Sequence, residues 1–197
     1  MANRLAIKRG LFSWLIFLLS ACSTVPMQPE LRYDKSLRAP LSEVQEWTFE
    51  GRMALTGQND SWSADIVWSH RFDHEQIKLS GPLGQGGVLI NLVGDAVTID
   101  RGNGNVRSSE EAENFINQEL GLVVPVKFLS YWVVGLPKPD VSWNEIQSGF
   151  TQLGWLNEYK QMQQVNNLAM PKKINVTNGQ VRLKLIVDQW HLGVWHE

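Results

Sequence analysis

Between residues 47 and 68 the chain alternates large apolar and polar side chains with a period of two, and this limits its fold more than any other feature. In "WTFEGRMALT", Trp47, Phe49, Gly51, Met53 and Leu55 fall on one side while Thr48, Glu50, Arg52 and Thr56 fall on the other; "SWSADIVWS" repeats the pattern with Trp62, Ala64, Ile66 and Trp68. Successive side chains of an extended backbone point to opposite faces, so such segments are half-buried strands with one face on a core. The two segments read as neighbouring antiparallel strands joined by a turn through Gly57 to Asp60.

The same reasoning marks strands at 75–80, 87–93, 95–100, 149–155, 157–165, 172–177 and 180–188, with Asn178-Gly179 as a hairpin turn between the last two. About nine or ten short, evenly spaced strands are too many for a parallel α/β fold. Helices are expected in three places. Residues 40–46 open with Pro40, which a first helical turn tolerates. Residues 109–120 follow Ser108, which with Glu111 reads as a capping box, and carry Ala112, Phe115, Ile116 and Leu120 on one face before Gly121. Residues 125–134 open with Pro125 and present Phe128, Leu129, Trp132 and Val133. The expected architecture is α+β: an antiparallel sheet curled over a few helices.

The N-terminus is a secretory signal. Arg4, Lys8 and Arg9 form a positive head, Leu11 to Leu19 an apolar core, and Ser20-Ala21 a pair of small residues. The apolar run falls short of the roughly 20 residues a membrane span needs. Small residues followed at once by Cys22 form a lipobox, in which the thiol is acylated and the cut falls before the cysteine. Cys22 is the chain's only cysteine, so an internal disulfide is excluded and the thiol reads as a lipid handle. Two or three acyl chains anchor a protein stably where one does not. Ser23 is not the aspartate that retains lipoproteins in the inner membrane, which points to the outer membrane. The organisation expected is a signal peptide at 1–21, acylated Cys22 with a flexible tether to 39, and a single domain at 40–197. As a flexible coil, residues 23–39 would span about 20 Å.

The formal net charge is −2, and loss of the signal's three basic residues makes the mature chain more acidic; a nucleic-acid surface is not expected. Motifs of hydrolases and nucleotide sites are absent: there is no GxSxG, no HExxH and no P-loop. His70 and His74 flank Arg71-Phe72-Asp73 in a hairpin connection and read as solvated residues, so no metal site is expected. Arg52 and Arg71 are candidates for a polar rim.

Two features bear on binding. Eight of the nine tryptophans lie beyond the signal, several on the same strand faces as aliphatic residues. They fit a packed core, and they equally fit the wall of an apolar pocket. In "SGPLGQGGVLINLV" the glycines and Pro82 mark a loop with Leu83 at its tip. That leucine either folds back onto the sheet or stands exposed, where a membrane-tethered protein would dip it into lipid.

In order along the chain, the lipobox at Leu19 to Cys22, "FEGRMAL" at 49–55, "GPLG" at 81–84, "SSEEAENFI" at 108–116, "WVVGLP" at 132–137, "AMP" at 169–171 and "VRLKLIVDQW" at 181–190 make it resemble the LolB family. The resemblance covers nearly all of the mature chain. Members are outer-membrane receptors that take lipoproteins from a soluble periplasmic carrier and place them in the outer membrane. The resemblance implies an open antiparallel half-barrel, covered by a few helices around an apolar cavity that receives acyl chains. It also implies a protruding loop whose exposed leucine delivers cargo, which here is Leu83 flanked by Pro82 and Gly84. Strand phase nominates Phe49, Met53, Leu55, Ile66 and Trp68 as cavity wall, with Phe115 and Trp132 from the helices. The partners implied are a LolA-like carrier, lipoprotein acyl chains and the outer membrane through acylated Cys22; the protein is expected to be monomeric, without cofactor or enzymatic activity. The competing reading is an envelope lipoprotein acting as a structural or assembly adaptor without lipid cargo.

Overall fold

A computed structural model of the chain describes residues 31–57, 61–81, 86–121 and 124–193. Cys22 and the loop residues Pro82, Leu83 and Gly84 lie outside the described residues, as do the signal segment and the tip of the turn at 58–60.

Eleven strands form one antiparallel sheet: β1 Glu46–Thr56, β2 Ser61–Arg71, β3 His74–Ser80, β4 Gly87–Val93, β5 Ala96–Asp100, β6 Val106–Ser109, β7 Trp143–Ile146, β8 Gly149–Gln152, β9 Trp155–Val165, β10 Leu168–Thr177 and β11 Arg182–Leu192. Their order across the sheet is β6-β5-β4-β3-β2-β1-β11-β10-β9-β8-β7. The chain therefore starts at the centre, steps out to one edge, crosses to the opposite edge and steps back. The crossing carries α2 Ala112–Leu120 and α3 Val126–Val133, which places both helices over the inner face. The sheet remains open, and each free edge is a strand of only four residues, too short to recruit another chain readily.

A 3-10 turn at Lys35–Leu37 and α1 Arg38–Leu41 precede the sheet. This segment is packed. Tyr33 is buried, stacks on Tyr159 at 4.5 Å and donates its hydroxyl to Gly135 O at 3.0 Å. Leu41 is buried as well. Ordered packing thus begins inside the stretch that the sequence assigns to the tether.

The strands expected from alternation are all present, with three differences of cause. The single strand read at 149–155 is two, β8 and β9, because Leu153 and Gly154 both adopt positive φ, 52° and 76°, and form a tight turn. Strand β11 continues to Leu192 past a bulge: Glu50 pairs with Gln189 but Gly51 with Val187, which leaves Asp188 extra. The buried phase accordingly shifts from Leu183, Leu185 and Val187 to Trp190, so strict alternation ends the strand too early. Finally, β6 and β7 carry no buried position and so give no alternation to read.

The helices also differ. The expected helix at 40–46 is α1, shorter and earlier. The capping box does not form, because Ser108 sits in β6 and α2 has Glu111 as its N-cap without a side-chain cap; Ser109 Oγ instead accepts from Glu111 N at 3.1 Å. The Asn178-Gly179 turn is present, with Asn178 Oδ1 accepting from the N–H groups of Gln180 and Val181.

The inner face is aromatic around β1. Trp47, 1 % exposed, lies 5.6 Å from both Trp68 and Trp190 and 5.8 Å from Phe49. Each large apolar side chain so buried contributes about 1.5–3 kcal/mol. Indole N–H groups need partners when buried, and they find them: Trp68 Nε1 donates to Glu75 Oε2 at 2.7 Å and Trp190 Nε1 to Pro171 O at 2.8 Å.

Candidate lipid cavity and its helical cover

A small space with a wholly apolar wall lies between the sheet, from β4 across to β11, and the two helices. The sheet supplies Met53, Ile66 and Trp68, which strand phase nominates, together with Ile77, Leu79, Ile90, Leu183 and Leu185. The cover supplies Ile116 from α2, Val124 from the connection, and Val126 and Leu129 from α3. Phe49, Leu55, Phe115 and Trp132 are buried in the core without lining this space. The five further sheet residues occupy alternate positions in β3, β4 and β11, so the signal that would have nominated them is the one used for β1 and β2. On the helices, Ile116 takes the inward position while Phe115 lies under the Arg107 guanidinium at 5.6 Å.

The cavity measures about 30 Å³, roughly the share of one water molecule in the liquid. Sites for organic ligands are usually 300 Å³ or more. In this conformation the cover is therefore closed and the cavity wall is largely in contact with itself. Two larger clefts, of about 230 and 210 Å³, flank Phe72 at one end of the sheet. Their walls mix His70, Ser130 and Tyr131 with apolar residues, which suits neither a hydrocarbon chain nor a dry surface.

Polar ties hold the cover down. At the C-terminus of α2, Arg101 Nη1 donates to Glu119 Oε2 at 2.7 Å and Arg101 Nη2 donates to the Glu119 carbonyl at 2.6 Å, while Arg107 reaches the other carboxylate oxygen. The hydrogen bond from Arg101 is the main reason that the Glu119 carboxyl titrates below its ordinary range, with the charges of both arginines adding to it. Lys127, at the start of α3, pairs with Asp95 in the β4–β5 turn. The far end of α3 is fixed by two buried bonds: Tyr159 donates its hydroxyl to Trp132 O at 2.7 Å, and Trp132 Nε1 donates to Gln152 Oε1 at 2.9 Å. Burial drives the Tyr159 phenol well above its usual range, so it stays a donor at any physiological pH.

His70 is not solvated as the sequence suggested. Its ring stacks on Trp47 at 5.1 Å and Nδ1 lies 2.7 Å from Glu75 Oε1. The hairpin connection itself is as expected, with Phe72 at φ 56°. Arg52 and Arg71 are each paired, with Asp188 and Glu46 at 3.1 Å. Among the described residues no helix is long and apolar enough to cross a membrane, and no cluster of His, Cys, Asp and Glu could hold a metal ion.

The sequence model of the family described as "Outer membrane lipoprotein LolB" matches residues 45–190. A relative of that name from Chromohalobacter salexigens is 32% identical over 188 residues, covering 90% of this chain and 87% of its own length. Another, from Nitrosococcus oceani, is 32% identical over 160 residues, covering 78% and 80%. A crystal structure of a LolA superfamily protein from Nitrosomonas europaea aligns with a TM-score of 0.48 at 8% identity, covering 81% of this chain and 94% of that one.

Proposed function

We propose, for a chain that belongs to the LolB family of outer-membrane lipoproteins, that the apolar space beneath α2 and α3 receives the acyl chains of lipoproteins handed over by a periplasmic carrier. The protein is a lipid-anchored outer-membrane lipoprotein and a lipoprotein-trafficking receptor. The observation that carries the finer reading is the cavity wall, which is apolar throughout and closed by a cover tied at its ends rather than continuous with the sheet.

The energetics dictate how the transfer runs. Three acyl chains of about 15 CH₂ groups each, at about 0.8 kcal/mol per CH₂, carry on the order of 35 kcal/mol of gross transfer cost if released into water. Cargo therefore passes directly from one apolar surface to the next, and α2 and α3 move off the sheet to admit it. Acylated Cys22 keeps the receptor at the destination membrane, and the tether leaves the domain free to turn between carrier and bilayer. Leu83, framed by Pro82 and Gly84, enters the bilayer to deliver the cargo. The base of that loop is the β3–β4 hairpin, closed by Gly81 N donating to Gly86 O at 3.4 Å, at the sheet end that also bears the β1–β2 and β10–β11 turns. The receptor works as a monomer, without a cofactor.

The test mixes the mature chain carrying Cys22→Ala with a periplasmic carrier preloaded with a tagged lipoprotein, then separates the two proteins. Cargo is expected on this chain. Cargo that remains on the carrier, with this chain folded, overturns the receptor reading in favour of the adaptor.

A further inference from the structure

Two carboxamides lie buried beside α3, and they are treated in opposite ways. Gln152, 2 % exposed, uses its whole bonding capacity: Oε1 accepts from Trp132 Nε1 and from Lys138 N, both at 2.9 Å, and Nε2 donates to Lys138 O at 2.8 Å and Val141 O at 3.0 Å. Asn157 is fully buried, at 0 % exposure, and neither its Nδ2 nor its Oδ1 meets a partner. A buried polar group left this way weighs against the folded state, and folded proteins retain few of them.

The placement of Asn157 is informative. It shares the inner phase of β9 with Trp155 and Tyr159, and its ladder neighbours are Phe150 on β8 and Val176 on β10. Val176 in turn pairs with Leu183, a cavity-wall residue, so Asn157 sits at the level of the cavity two strands away. Trp132 of α3 touches both of its strand neighbours, with its ring 6.2 Å from that of Trp155 and its carbonyl bonded to the Tyr159 hydroxyl. When α3 lifts, the Tyr159 hydroxyl and Gln152 Oε1 each lose their Trp132 partner, and Asn157 is the group beside them that has no side-chain partner in the closed state either.

We propose that Asn157 reads the polar junction of the cargo lipid, Nδ2 donating to an ester carbonyl of the diacylglyceryl group and Oδ1 accepting from the N–H of the N-acyl amide. This rests on the receptor reading above. A purely apolar wall holds any hydrocarbon of suitable size, whereas one unmet donor and acceptor favours acyl chains joined through carbonyl linkages.

The test uses the mature chain with Cys22→Ala and a fluorescent fatty-chain probe. The probe is displaced either by a synthetic triacylated S-glyceryl-cysteine peptide or by its analogue with ether linkages in place of the two esters. The unsubstituted Asn157 protein is expected to prefer the ester ligand by about threefold to tenfold. Asn157→Leu should lose that preference while melting about 2–6 °C higher, since it removes an unmet polar pair without opening a cavity. Equal displacement by both ligands from the Asn157 protein overturns the proposal without any variant. So does an Asn157→Leu protein that keeps the preference, or one that melts lower, which would mark Asn157 as holding a structural water. If neither ligand displaces the probe from the Asn157 protein, the receptor reading itself fails and the proposal falls with it.

Discussion

Gly51 is where the two halves of the sheet depend on a missing side chain. It faces the β11 bulge, and a Cβ there would lie 2.1 Å from Ile186 O and 3.1 Å from Val187 Cα, against 3.4 Å or more in ordinary contact. For Gly51→Ala the obstruction is backbone, so no rotamer change relieves it, and β1 and β11 must part by more than an ångström where the first and last strands join. Overpacking of this kind costs about 1–3 kcal/mol, and each weakened ladder bond about 1 kcal/mol more. The lower entropy of unfolded alanine returns about 0.4–1 kcal/mol. The expected net loss is about 2–4 kcal/mol, or about 5–15 °C in Tm for a domain of this size. Urea denaturation followed by the fluorescence of the tryptophans around Trp47 should show a lower midpoint with an unchanged slope. A loss below about 0.5 kcal/mol would refute the argument, because it would mean that the bulge carbonyl yields freely.

The polar ties of the cover predict a pH response. Glu119 titrates below its ordinary range when folded, so its stabilising effect is present above that range and is lost as pH falls through the lowered value. Binding of an apolar dye should rise on acidification, and Glu119→Gln should bind at neutral pH as the parent protein does in acid; dye binding unchanged by the substitution would dismiss the tie as a latch. Leu83→Glu should leave cargo acceptance intact but slow transfer of a labelled lipoprotein into vesicles, since a charge at the tip resists entering lipid; transfer at the parental rate would sink the loop assignment. Tyr33→Ala should cost about 3 kcal/mol in chemical denaturation, the ordinary loss for a buried ring, whereas a change under 0.5 kcal/mol would mean that the segment before β1 is not integral to the domain.

What could be read from the sequence follows from where burial is one-sided. Strands β1 and β2 bury one face along most of their length, with Thr48 and Ser69 buried against each other on the opposite face, so the alternation of Trp47, Phe49, Met53 and Leu55 was visible and the antiparallel pairing of the two strands followed. Strands β6 and β7 bury neither face, and a strand that is exposed on both sides writes no period into the sequence. The Leu153-Gly154 turn was hidden because a bulky residue occupies a left-handed position that usually takes asparagine or glycine. The candidate cavity was legible only in phase. Phe49 and Met53 point the same way from one strand, and what separates them is where the helices press on the sheet. That is decided by tertiary packing and not by either residue. The same holds for Phe115 against Ile116, neighbours on one helix, of which only Ile116 reaches the cavity.

The topology explains why a protein with so small a cavity can be built to open. A sheet that begins and ends at its centre has two unpaired edges, and the only connection between them is the segment carrying α2 and α3. Lifting the helices therefore breaks no strand pairing. The ties at Lys127 and Asp95 involve exposed groups, and exposed ion pairs contribute little to stability. The larger cost is uncovering the apolar face of α3, with Val126, Leu129 and Trp132. On the proposed function, an incoming acyl chain would repay most of that cost by occupying the same wall, so that cover and cargo exchange one apolar contact for another. In that scheme the direction of transfer would be set by small differences: the polar ties that must be broken, the polar junction of the lipid that must be matched, and the bilayer that waits at the end. A variant that strengthens the cover should consequently slow acceptance far more than it raises stability.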